Sequence, residues 1–352
     1  MRRLRPGRTG PGRPADTART RGTRARALGA VAAAAVLALT ASGCVTVHGE
    51  RELIPAVGKT EAAQAVKDFT DAYNRADKAY DPALDADQVT GPLGEINQAG
   101  LKARRITSPG GNKNHRPLEL TDARFAIPRK AGWPRWFVAD TDSNRDVDSG
   151  PEDTRWLLLF VRDSAQDGWE VAYLATLSPD QVPAFEEEQG YAVPVAADGK
   201  SGASLAVAPK DLGERYTAFL KDGREGPFAP GPHTTGWRAS RAKSANRPGL
   251  VTQFVDQPDS RGDFAPLALA TKDGGALVFF ATRYFERQTA APGYRPKVGA
   301  EVRALMTGEI KSTVTKRWVS SQAALVKPAG GPPVGRVQIL SRLQGVTAAE
   351  GS

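Results

Sequence analysis

The stretch TEAAQAVKDFTDAYNRADKAY, residues 60–80, decides how the first half of the chain folds. Its apolar positions alternate between spacings of four and three residues: Ala62, Val66, Phe69, Tyr73, Ala76 and Tyr80. This spacing puts them on one side of a helix, with charged residues on the other. Thr60 can cap the helix, and Asp81-Pro82 ends it. A second, weaker helix is predicted at residues 93–104.

The residues that follow predict an antiparallel sheet. RWLLLFV at residues 155–161 is a continuous apolar run, which is typical of a strand buried on both faces. WEVAYLATL at residues 169–177 alternates between apolar and other side chains, which favours a half-buried strand. Two more strands are predicted, at residues 118–127 and 135–140.

The second half repeats this order. A helix can begin at Asp211, and residues 301–317 fit either a helix or a strand. Strands are predicted at residues 250–255, 267–271, 276–285, 318–326 and 334–343. We therefore predict an α+β fold of two tandem domains, each an N-terminal helix packed on a curved antiparallel sheet. The predicted limits are 60–195 for the first domain, 196–210 for an Ala/Gly/Pro-rich linker, 211–346 for the second domain and 347–352 for a tail.

The positive charge of the chain belongs to its N-terminus. The sequence has 352 residues and a formal net charge of +9, and the residues before Cys44 carry +8 of it, almost entirely as arginine. The uncharged run VAAAAVLALTAS follows these arginines, so residues 1–43 are predicted to be a signal peptide. The remaining chain has a net charge of +1, which provides no basic field for nucleic acid. Residues 44–59 are predicted to be a membrane tether.

The sequence Ala41-Ser42-Gly43-Cys44 resembles a bacterial lipobox, although Ala41 stands where leucine is usual. The resemblance implies lipid attachment at Cys44, which is the only cysteine in the chain. A diacylglyceryl group supplies the two acyl chains that a stable anchor needs. We expect a lipoprotein anchored to the outer face of the cytoplasmic membrane. The alternative is an uncleaved signal anchor at residues 27–47.

Two long stretches resemble a family of uncharacterised actinobacterial lipoproteins that carry a domain of unknown function. The first stretch begins with ELIPAV at residue 52, and the second is RVQILSRLQGVTAAEG, residues 336–351. A helix followed by a meander of strands also resembles the cone-shaped fold of nuclear transport factor 2 and cystatin-like domains. Both resemblances imply a fold, and neither implies a biochemical activity.

One acidic loop, DTDSNRDVDSG, has the alternation of a calcium-binding loop. Its candidate oxygen ligands are Asp140, Asp142, Asn144, Asp146 and Asp148. Arg145 stands where such a loop needs glycine, and Pro151 where it needs glutamate. The alternative is a solvated acidic turn, and we predict no metal and no cofactor for the chain.

The sequence offers few groups for catalysis. It contains neither G-x-S-x-G nor H-E-x-x-H, and His115 and His233 lie in turn-rich segments where we expect them to be solvated. We therefore predict a non-catalytic binding module of the cell envelope, for a small apolar ligand or an envelope protein. The alternatives are a hydrolase or isomerase that uses Asp or Glu as acid and base in a cone-fold pocket, and a structural or signalling partner of envelope proteins.

Overall fold

Five α-helices and two main sheets form the part of the chain that the structure describes. The structure is a computed structural model that describes residues 52–199, 204–224, 226–330 and 335–352. The helices are α1 (Lys59–Ala79), α2 (Gly91–Thr107), α3 (Leu212–Asp222), α4 (Trp237–Ala245) and α5 (Ala300–Ala304). A single π-helical turn, Pro232–Gly236, leads directly into α4.

The first main sheet has four antiparallel strands, all from the first half of the chain. Its spatial order is β2 (Leu120–Ala126), β4 (Arg135–Ser143), β5 (Arg155–Arg162) and β6 (Glu170–Leu177). Two small two-stranded pairs accompany it: β1 (Ile54–Pro55) with β3 (Arg129–Lys130), and β7 (Glu187–Glu188) with β8 (Tyr191–Ala192).

The second main sheet has seven strands from the second half. Its spatial order is β13 (Met306–Gly308), β15 (Val337–Gly351), β14 (Thr313–Val326), β12 (Ala276–Ala290), β10 (Leu250–Asp259) and β9 (Asn246–Arg247), while β11 (Leu267–Ala270) pairs with β12. Neighbouring strands are antiparallel, except that β13 and β15 are parallel. The prediction of an α+β fold is confirmed.

The core has three layers of apolar side chains between four layers of backbone. Phe69 of α1 packs with Phe160 on the outer face of the first sheet, and Tyr216 of α3 packs with Phe280 on the outer face of the second. The inner faces of the two sheets meet in one cluster, in which the rings of Tyr173 and Phe279 lie 6.0 Å apart. Each sheet therefore alternates its side chains between a helix and the other sheet.

This shared inner layer corrects the expectation of two separate cores. The described residues form one compact unit, because both halves bury apolar side chains against each other. The residues on either side of position 200 are also packed: Val207 is buried against the second sheet, and the Ala206 amide donates to the Lys327 carbonyl. The predicted domain limits near residue 200 lie in the segment between β6, the last strand of the first main sheet, and β9, the first strand of the second.

Three smaller boundaries also differ from prediction. Ala56 and Val57 are buried, and β1 pairs with β3, so the described part of the predicted tether belongs to the body. Helix α1 begins at Lys59 after Gly58, which replaces Thr60 as the cap position. The predicted tail is the end of β15, where Ala349 is buried between β13 and β14. Cys44 and the predicted signal peptide lie outside the described residues.

Candidate functional site

A cleft of about 610 Å³, called cavity A here, opens beside the edge of the first sheet. Its floor is the end of β4, with Val138, Asp140 and Asp142, and Phe125 of β2 lies next to it. Its opposite wall is the segment 179–187, which follows the first sheet. The charged residues that line it are Arg124, Asp140, Asp142, Asp148, Asp153, Arg155, Glu187 and Lys272.

The opposite wall of cavity A, segment 179–187, is held by backbone hydrogen bonds to the second sheet. The Lys272 amide donates to the Ala184 carbonyl at 2.9 Å, and the Glu186 amide donates to the Ala270 carbonyl at 2.9 Å. Further along, the Ala192 amide donates to the Ile127 carbonyl at 2.9 Å. The segment therefore joins the edges of both sheets, and cavity A lies where they meet.

The acidic loop contributes three of its five predicted oxygen ligands to one place. Carboxylate oxygens of Asp142, Asp146 and Asp148 lie within 4.8 Å of one another. One Asp146 oxygen accepts a hydrogen bond from the Thr154 hydroxyl, while the other is buried and has no hydrogen-bond partner within the described residues. Exposed carboxylates often cluster without an ion, so this geometry does not decide between a calcium loop and the solvated acidic turn.

The other two predicted ligands have structural partners. Asp140 accepts a hydrogen bond from Nε of Arg155 at 2.7 Å, and both side chains are almost fully buried. The amide of Asn144 ties the turn to its neighbour, accepting from the Glu119 amide at 3.0 Å and donating to the Pro117 carbonyl at 3.0 Å. Asp140 and Asn144 therefore position the acidic loop instead of facing its centre.

The electrostatics of cavity A favour a cationic group. The Asp140 carboxylate is neutralised by Arg155, and Arg124 pairs with Asp122 at 2.7 Å. Five acidic and three basic residues line the cavity, so acidic charge is in excess although the Lys272 side chain has no ionic partner within the described residues. The side chains of Asp148 and Asp153 also lack a hydrogen-bonded or ionic partner within these residues. Phe125, Val138, Val182 and Phe185 supply an apolar surface beside these carboxylates.

The carboxyl groups with clearly raised pKa values lie outside cavity A. Burial raises the pKa of Asp85 to about 6, and burial together with nearby Asp263 raises the pKa of Glu170 to about 7. A general acid at neutral pH needs such a raised pKa. Neither residue lines cavity A.

The two histidines differ from the expectation that both are solvated. Nδ1 of His115 lies 2.8 Å from Oδ2 of Asp77, which joins the loop to α1, and the His115 side chain is 12% exposed. His233 lies in the π-helical turn, where burial and the nearby Arg342 guanidinium lower its pKa. Local turn composition predicted exposure, but both segments pack against helices or strands that are distant in sequence.

Sequence reasoning missed the wall of cavity A. The acidic loop was visible as an alternation of Asp residues, whereas Phe185 and Lys272 reach the cavity through pairing between segments about 85 residues apart. The single local signal for this wall was the abrupt end of the alternating pattern at Ser178-Pro179.

Comparison with known proteins identifies the family. Residues 53–351 match the family described as "Domain of unknown function (DUF8094)". The chain belongs to this family. It is also 52% identical over 322 residues to an uncharacterised lipoprotein of Streptomyces coelicolor, covering 91% of this chain and 94% of that protein. An uncharacterised lipoprotein of Streptomyces avermitilis is 52% identical over 324 residues, covering 92% of this chain and 94% of its own length.

The relatives' names support the prediction of a membrane-anchored lipoprotein, and the resemblance to an uncharacterised lipoprotein family is confirmed. Within the described residues, no helix has the length and apolar character needed to cross a bilayer. The family match covers both main sheets and therefore includes the whole of cavity A.

Proposed function

We propose that this lipoprotein is a non-catalytic binding module, anchored through Cys44 to the outer face of the cytoplasmic membrane, and that cavity A holds its ligand. The observation that carries the proposal is a cleft of about 610 Å³ lined by partnerless carboxylates next to an apolar wall. Ligand sites typically combine an apolar surface with a few placed polar groups. The matching ligand is a small molecule with a cationic amine and an apolar part.

The charge balance supports this choice over the purely apolar ligand predicted from sequence. Asp148 and Asp153 face the cleft without cationic partners, while Phe125 and Phe185 offer ring surfaces beside them. An ammonium group would compensate the carboxylates, and its apolar substituent would cover the rings.

The anchor is tested by metabolic labelling. Labelled palmitate should enter the wild-type chain and should not enter Cys44→Ala, because the thiol is the attachment point. Equal labelling of both chains would argue against lipidation at Cys44.

The ligand is tested with the full chain purified in detergent from its own host. Native mass spectrometry should detect a discrete additional mass, and the same mass should be lost from Asp148→Asn/Asp153→Asn. Asp163→Asn provides the matched control, since Asp163 is exposed and does not line cavity A. A wild-type chain that carries no ligand and shows no affinity for phenethylamine, used as a probe, would overturn the proposal.

A second candidate, an acid–base hydrolase or isomerase, is favoured by the cluster of Asp142, Asp146 and Asp148, because Asp142 and Asp148 of this cluster line cavity A. Paired carboxylates are the usual acid and base when histidine is not used. Turnover of an ester, glycoside or peptide library by the wild type, lost in Asp142→Asn, would establish it in place of the binding module.

A further inference from the structure

A second cavity of about 700 Å³, called cavity B here, lies where the described chain begins. Residues 55–59 and Glu61 form one side, and Phe125, Ile127 and Tyr191 form an apolar side. Arg135 and Arg162 line its interior. Cavity B is separate from cavity A, although Phe125 and Glu187 contribute to both.

Two arginines of cavity B stand directly opposite each other on neighbouring strands. Arg135 of β4 pairs in register with Arg162 of β5. Both guanidinium groups stack on the indole ring of Trp133, at 4.5 Å for Arg135 and 5.1 Å for Arg162. Like charges directly opposite on adjacent strands destabilise a sheet unless an opposite charge compensates them.

One carboxylate compensates one of these two cations. Glu61 of α1 accepts a hydrogen bond from Nη1 of Arg162 at 2.8 Å, and another from the Trp169 indole at 3.0 Å. The Arg135 side chain has neither a hydrogen bond nor an ion pair within the described residues, and its Nε is buried. Glu187, the second carboxylate that lines cavity B, forms no ion pair with Arg135 within these residues. A buried N–H group without an acceptor is costly, since it has lost water and gained no hydrogen bond in exchange.

The start of α1 adds positive potential on the same side. Gly58 precedes the helix and has no side chain that could accept from the first-turn N–H groups. These N–H groups, together with the exposed Lys59 ammonium, border the cavity that Arg135 lines. Helix α1 has 21 residues, and the partial positive charge at its N-terminus adds to the attraction between an anion and a neighbouring cation.

We infer that cavity B is a binding site for a phosphate or phosphodiester group, with Arg135 as its main ligand and Lys59 as its second. The planar guanidinium donates two parallel hydrogen bonds to phosphate oxygens, and Trp133 holds it flat. The apolar side of the cavity, with Ile127 and Tyr191, accommodates whatever the phosphate carries. A free phosphate and a phospholipid headgroup share this chemistry.

The test is isothermal titration calorimetry on the full chain in nonionic detergent. Inorganic phosphate probes the free anion, and glycerophosphoglycerol probes the headgroup of an anionic lipid without its acyl chains. Binding of inorganic phosphate alone identifies the free anion as the source, and binding of the diester at equal or higher affinity identifies the headgroup. Failure of both probes to bind overturns the site.

Variants establish where the probe binds. Arg135→Gln should weaken binding about tenfold or more, because it removes the charge-assisted hydrogen bonds. Lys59→Gln, at an exposed position where unfolding is not a concern, should weaken binding about threefold. The control Arg215→Gln removes the same charge from the exposed face of α3 and should leave the affinity unchanged. Equal affinities for the wild type and both cavity variants would overturn the assignment.

Discussion

At the scale of single residues, Asp85 is the buried charge whose cost can be measured most directly. Its side chain is fully buried between the start of α2 and the preceding turn. Its two oxygens accept hydrogen bonds from Asn97 at 2.6 Å and from Gln98 at 2.7 Å. Burial outweighs these bonds and raises its pKa from 3.8 to about 6. The folded protein therefore binds the Asp85 proton more tightly than the unfolded chain does.

This raised pKa predicts that Asp85 makes folding less favourable as pH rises. The folded state binds the proton more tightly than the unfolded state, so the stabilisation is complete below about pH 4 and is lost as pH rises through about 6. Relative to Asp85→Asn, the wild type should lose about 2 kcal/mol of unfolding free energy between pH 4 and pH 7.5. Urea unfolding of both chains across this range measures the difference.

Comparison with the variant cancels the titration of all other groups, including Glu170. A difference between the two chains that stays constant with pH would mean that Asp85 has the same pKa in the folded and unfolded states.

At the scale of secondary-structure elements, α2 is the helix that contacts both main sheets. It packs against β6 of the first sheet and against β15 of the second. Gly345 of β15 permits this approach, because a Cβ atom at that position would lie 2.8 Å from Cγ2 of Ile96. Glu95 of α2 also forms two hydrogen bonds with Arg283 of β12, at 2.6 and 2.7 Å.

We expect Gly345→Ala to destabilise the fold by about 2 kcal/mol, since the added methyl group pushes α2 away from β15. In an Ile96→Ala background the same substitution should cost much less, because the clashing methyl group is gone. Urea unfolding of the four chains gives the coupling between the two positions. Equal penalties in both backgrounds would show that the contact does not limit the packing of α2.

The elements were largely predictable from sequence, whereas their partners were not. The spacing of Ala62, Val66 and Phe69 predicted α1, and the run at residues 155–161 predicted β5, because periodicity is a local property. The contact of α2 with Gly345 joins residues about 250 positions apart, and no spacing rule reports it. The same holds for the candidate site, where the acidic loop was visible and its facing wall was not.

At the scale of the whole molecule, the inner layer between the sheets ties the two halves together. Leu159 of the first sheet and Phe279 of the second belong to one buried cluster, and both are almost completely buried. A tandem array of independent domains would instead show a wet, polar boundary between its cores.

We therefore predict that both halves unfold in one transition. Leu159→Ala should lower the unfolding free energy by about 3 kcal/mol, because it leaves a cavity in the shared layer. Hydrogen exchange should accelerate by the same factor in peptides from β5 and from β12. Val255→Ala, at a position 55% exposed on β10, serves as the control and should change little. Faster exchange confined to the first half would contradict a common core.

The position of β15 has a consequence for how the chain matures. This strand comprises residues 337–351, yet it lies between β13 and β14 inside the second sheet. A polypeptide emerges N-terminus first from the ribosome and from any export channel, so the second sheet lacks an interior strand until residues 337–351 appear. Until then, the inner face of the first sheet has an incomplete partner and exposes apolar surface. The two sheets therefore pack fully against each other only after residues 337–351 have emerged, which places the completion of the shared core late in the maturation of the chain.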